Sequence, residues 1–149
     1  MSTVITGASG HLGRLVVDQL LAAGTSPARI VATGRDVDKL TDLAQNGVTV
    51  RRADFADPIT LEDAFAGADA MLLVSTTTVG ERFGNARNAI DAAVRAGVSR
   101  IVYTSIVNAP TAPRRPPRFP FAPSRRGRRA PASFDSAFDI VSFADYLGK

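Results

Sequence analysis

The residues best spaced for chemistry stand at the start of the chain. Thr6-Gly7-Ala8-Ser9-Gly10-His11-Leu12-Gly13 follows a short apolar run and precedes a helical one, with glycines spaced G-x-x-G-x-x-G. This pattern suits holding an anion. Gly7 allows the tight turn out of a strand. Gly10 lets the backbone approach a pyrophosphate, and Gly13 lets a helix pack close to the sheet. The N–H groups at the start of that helix then face the anion, aided by the helix dipole. The alternative is a glycine-rich turn with no ligand. The strand–turn–helix setting is the context that a dinucleotide loop requires.

The elements around the loop support that reading. Val- and Ile-rich runs recur at 2–6, 29–33, 48–51, 69–74 and 100–104. Helical periodicity fills the gaps: Leu12, Leu15, Val16, Leu20 and Ala23 in the first, Ala86, Ile90, Ala93 and Val94 in the last. Gly24, Gly47, Gly67 and Gly97 each end a helical stretch, where glycine suits a left-handed stop. Asp57-Pro58 reads as an N-cap followed by proline at the first helical position. Strands alternating with helices at this spacing predict a Rossmann-type α/β fold. The sheet is doubly wound, parallel and of about five strands, and covers residues 1–110.

The residue after the second strand bears on which dinucleotide binds. An acid there would bind a ribose 2′-hydroxyl, and an arginine would accept a 2′-phosphate. The chain reads Thr33-Gly34-Arg35-Asp36. Arg35 comes first and favours NADP (NADPH) over NAD; its alternative is a solvated surface charge. Asp36 suits the N-cap of the next helix. His11, the only histidine, holds a variable loop position and has no evident partner. With no cysteine and one histidine, thiolate and multi-histidine metal sites are excluded.

The strings VITGASGHLG, VATGRDVDKL, ADFAD and VYTSIVNA resemble the NmrA-like branch of the atypical short-chain dehydrogenase/reductases. Within it they look most like the type 2 NAD(P)H:quinone oxidoreductases, over residues 1 to about 112. The resemblance implies cofactor contacts at Gly7, Ser9, Gly10, His11, Leu12, Gly13 and Arg35. It further implies Asp54 and Phe55 along the adenine, Ser75 and Thr76 beside the ribose, and Thr104 and Ser105 near the nicotinamide. Each of these also has a local reading. Asp54 and Asp57 could cap nearby N–H groups, and hydroxyl residues favour turns. Classical members of the wider group carry Tyr-x-x-x-Lys, which puts the two side chains on one helical face. Here Val107 stands four residues after Tyr103, and Lys149 three after Tyr146, so that dyad is missing. Hydride transfer to a quinone needs only a positioned cofactor and a slot for the acceptor. Two functions follow: an NADPH-dependent oxidoreductase of quinone-reductase type, or a non-catalytic NAD(P) redox sensor of the NmrA kind.

Charge divides the chain. Residues 1–111 hold 10 Lys and Arg against 11 Asp and Glu, whereas residues 112–149 hold 8 against 3. Nucleic acid is therefore not the leading partner of the folded part. Residues 110–131 contain seven of the nine prolines and seven arginines, with no periodicity, and residues 111–149 read as an irregular basic tail. Phe134, Phe138, Val141 and Ala144 could form one short helical face. The family resemblance breaks abruptly near residue 112. A frameshift there, leaving a truncated Rossmann unit with an exposed edge beside strand five, is the expectation; a basic arm for an anionic surface is the alternative. No apolar run reaches the ~20 residues that cross a bilayer, and no leader is evident, so a cytoplasmic location is expected.

Overall fold

The computed structural model describes residues 1–75, 82–105 and 138–142, the side chains of 82, 83, 105 and 138–142 excepted. Its strands are β1 (Thr3–Ile5), β2 (Ile30–Gly34), β3 (Thr49–Arg52), β4 (Ala70–Leu73), β5 (Arg100–Ser105) and β6 (Phe138–Ser142). Its α-helices are α1 (His11–Ala22), α2 (Thr41–Gln45), α3 (Pro58–Phe65) and α4 (Arg82–Arg95). The sheet runs β3-β2-β1-β4-β5-β6, and every pairing is parallel. This is the Rossmann-type doubly wound α/β sheet expected from the sequence. The chain reverses its direction of travel between β1 and β4, and open α/β sheets bind ligands at such a switch point.

The central strands β1, β2 and β4 alternate between two cores. Val4 and Val31 join Leu61, Phe65, Ala89 and Ala93 beneath α3 and α4. Their neighbours Ile5 and Ala32 join Val17, Leu40 and Leu43 beneath α1 and α2. Burial on both faces explains why these strands read as unbroken apolar runs. The helix stops fall where expected, and Gly24, Gly47, Gly67 and Gly97 take φ of 84, 83, 75 and 80°. Asp57 caps α3 through its carboxylate, which accepts from Ile59 N at 3.3 Å, with Pro58 next.

Four expectations need correction. The buried stripe of α1 is centred on Gly13 and Val17; Val16 and Leu20 of the expected face pack beside it, whereas Leu15 is 44% exposed. Gly13 packs against Gly7, and that contact sets the rotation of the helix. In α4 the burial falls on Ala89, Ile90, Ala92 and Ala93, and Val94 is partly exposed. Residues 138–142 form a strand and no part of a helical face. β6 pairs with β5 from Ile101↔Phe138 to Ser105↔Ser142, so the expected bare edge beside β5 is occupied.

Candidate functional site

The cleft lies at the carboxyl ends of β1 to β4 and encloses about 530 Å³. Its floor is the glycine loop. Gly7 has φ of 63°, the left-handed region, which turns the chain sharply out of β1. Gly10 is the N-cap of α1 and offers no capping side chain. The N–H groups of His11, Leu12 and Gly13 therefore stand at a helix start with no acceptor inside the helix. Gly13 permits the geometry. A Cβ there would lie 2.4 Å from Gly7 O and 2.7 Å from Gly7 C. Both are backbone atoms, so nothing could yield.

The walls come from neighbouring strand ends. Gly34 closes β2 against the loop: a Cβ on Gly34 would lie 2.9 Å from Ser9 Oγ. Arg35 follows it, exposed, on the cleft wall. Asp36 is occupied locally. It accepts from Asp38 N at 3.3 Å and pairs with Lys39 Nζ at 3.4 Å. The short 3-10 turn at Asp38–Leu40 has Val37 as its N-cap and no side-chain cap, so Asp36 does not take the N-cap position expected for it.

Asp54 and Phe55 also line the cleft. The Asp54 carboxylate accepts from Ala56 N at 3.0 Å, which is the local capping considered for it, and the residue also lies on the cleft wall. Phe55 is held from behind, its carbonyl accepting from Asn88 Nδ2 at 2.9 Å.

Beyond β4 two hydroxyls shape the wall. Thr6 is fully buried, and its Oγ1 accepts from Val74 N at 2.9 Å. Thr104 Oγ1 accepts from Ser75 N at 2.9 Å. Val74 and Ser75 line the cleft, whereas Thr104 reaches it through Ser75. Thr76 lies outside the described residues, as does the side chain of Ser105. His11 lines the cleft and is exposed. Asn85, on the first turns of α4, stands on the wall and was not singled out from the sequence. A polar residue in a helix that carries no motif gives no local signal. Among the described residues no group of His, Asp and Glu could hold a metal ion.

An anion cradle of backbone N–H groups, opening on a cleft at the switch point of the sheet, defines a dinucleotide-binding Rossmann domain. A family model described as NAD(P)H-binding matches residues 7–132, and the chain belongs to that family. Over 110 residues it is 46% identical to quinone oxidoreductase 2 of Escherichia coli, a match covering 73% of this chain and 38% of that protein. It is also similar in structure to the Escherichia coli NADPH-dependent quinone oxidoreductase 2 complexed with NADPH. There the identity is 42%, the TM-score 0.69, and the coverage 76% of this chain and 39% of that one. Triphenylmethane reductase of Citrobacter sp. complexed with NADP(H) gives 37% identity and a TM-score of 0.70, covering 74% and 39%. The chain thus spans well under half the length of these relatives. No helix among the described residues is long and apolar enough to cross a membrane.

Proposed function

We propose that this chain binds NADPH in preference to NADH and that the reaction it serves is reduction of a quinone-type acceptor. The observation that carries the preference is the position of Arg35, exposed on the cleft wall one residue after Gly34 and beside the loop that holds Ser9. A guanidinium there meets a ribose 2′-phosphate with charge-assisted hydrogen bonds. Asp36, the residue that would repel that phosphate, already faces Lys39. The quinone acceptor follows from the relative with the highest quoted identity, quinone oxidoreductase 2.

The residues fit the cofactor. The starts of α1 and its loop would hold the pyrophosphate, Asp54, Phe55 and Asn85 the adenine side, and Val74 and Ser75 the central ribose. When bound, NADPH supplies the hydride. The protein's own part is to bind, to orient and to keep water from the reacting face. A second reading is a redox sensor that binds the dinucleotide without turnover, which the same cradle and cleft would serve.

Titration of the full chain with NADPH and NADH, alongside Arg35→Ala, tests the binding claim. Tighter NADPH binding that the substitution reduces by about tenfold, with NADH unaffected, is the expected result. Folded protein that binds neither nucleotide would overturn it. NADPH oxidation with a simple quinone then separates the two readings, because a sensor binds and does not turn over.

A further inference from the structure

Arg52 is the last residue of β3. Its Cα is in register with Gly34. The strand continues this alignment, with Ala53 N donating to Gly34 O at 3.0 Å. Residues in register on parallel strands sit about 4.8 Å apart and share a face. The face is known from Gly34, whose missing Cβ would point at Ser9 Oγ and Leu40 Cδ1. Arg52 therefore projects on the side of the sheet where Ser9 lies, next to the strand end that carries Arg35. Its neighbour confirms the alternation: Arg51 turns to the opposite face, where its Nη1 meets the carbonyls of Asp63, Ala64 and Ala66.

Arg52 is exposed and stands at the rim, outside the cleft's walls. Neither Arg35 nor Arg52 forms an ion pair with a carboxylate of the described residues. The nearest acid in sequence, Asp36, is engaged by Lys39 and by Asp38 N. Arg35 follows the residue in register with Arg52, so an anion bound at these strand ends would have two guanidinium groups close to it. A phosphate monoester is a dianion with three acceptor oxygens, enough for two guanidinium groups and a serine hydroxyl together.

We propose that Arg52 is a specificity-determining residue, the second cation for a ribose 2′-phosphate, acting with Arg35 and Ser9 across the β2–β3 ends. This rests on the NADPH reading above and adds a residue from a different strand to it. The two arginines should act together, and each loses much of its grip when the other is removed.

The test is a two-by-two binding experiment on the full chain: wild type, Arg35→Ala, Arg52→Ala and the double variant, each titrated with NADPH, NADH and adenosine 2′,5′-bisphosphate. Arg52→Ala should weaken NADPH and the bisphosphate by about tenfold while NADH is unchanged. The double variant should bind NADPH and NADH about equally. Arg52→Glu, a charge reversal at an exposed position, should weaken NADPH further still. NADPH binding left intact by Arg52→Ala, or NADPH and NADH weakened equally, would overturn the role of Arg52 while the NADPH reading stands. Wild-type protein that shows no preference for NADPH would overturn both.

Discussion

Gly13 carries the tightest backbone approach in the site, and its replacement sets two effects against each other. Alanine would gain about 1 kcal/mol of helix propensity inside α1. Its Cβ would also sit 2.4 Å from Gly7 O, 2.7 Å from Gly7 C and 2.9 Å from Ala8 Cα. Overpacking against backbone costs roughly 1–3 kcal/mol and moves the parts that collide. The clash wins, so Gly13→Ala should lower the melting temperature and abolish dinucleotide binding, as read by thermal unfolding and titration. Arg14, one residue on, gives a pH-dependent prediction. It links α1 to α2 by bonding Asp42 and also Asp18. The hydrogen bond from Arg14 holds the Asp42 carboxyl below the ordinary aspartate range, and Arg14 is raised in turn. A carboxyl with a lowered folded pKa stabilises the fold at pH above its unfolded value. That contribution disappears as pH falls through the folded value. Arg14→Gln should therefore move the Asp42 titration upward in carbon-detected NMR. The stability gap between wild type and variant should close on acidification. Both groups are exposed, so the gap is small even at neutral pH.

At the scale of elements, α3 is fastened at both ends by residues outside or before it. Asp57 caps the first turn, and Arg51 reaches from β3 to the carbonyls at its last turn, with Nη1 2.8 Å from Ala66 O. Asp57→Ala should cost about 1 kcal/mol. Arg51→Met should cost about 1 kcal/mol, because it frees one part-buried and two exposed carbonyls and removes a cation from a helix C-terminus. Denaturant midpoints with an unchanged m-value would measure both. The first of these caps was legible in the sequence and the second was not, and the reason is distance along the chain. Asp57-Pro58, the stop glycines and the loop from Gly7 to Gly13 act on their own neighbours, so local pattern reveals them. Arg51, Asn85 and Asn88 act on residues far away in sequence, and only packing brings them to their partners. The stripe of α1 was misplaced around Leu15 because a glycine contributes no hydrophobic signal yet makes the closest contact. β6 was misread because Phe138 and Val141 are three apart, a spacing that a strand can carry when its pairing partner supplies the order.

For the whole molecule, the pairing of β6 with β5 completes one side of the sheet. Ile140 is in register with Tyr103. Ile140→Pro and Val141→Pro together would remove a ladder N–H, because alternate N–H groups of a parallel strand face its neighbour, and would loosen β6, leaving β5 as an edge open to pairing with another chain. Concentration-dependent light scattering should rise in that variant. A last consequence follows from the order of the central strands. Thr3 of β1 pairs with Ile30 on one side and with Ala70 on the other. The first contact closes a short loop of chain and the second a much longer one, so β1 meets β4 late. The cleft takes Gly7, Gly13 and Arg35 from one side of that junction and Val74, Ser75 and Asn85 from the other. A partly folded chain thus offers a nucleotide only half of its grip. The ligand should leave the refolding rate nearly unchanged and slow the unfolding limb of the chevron, acting as a brake on escape from the native state.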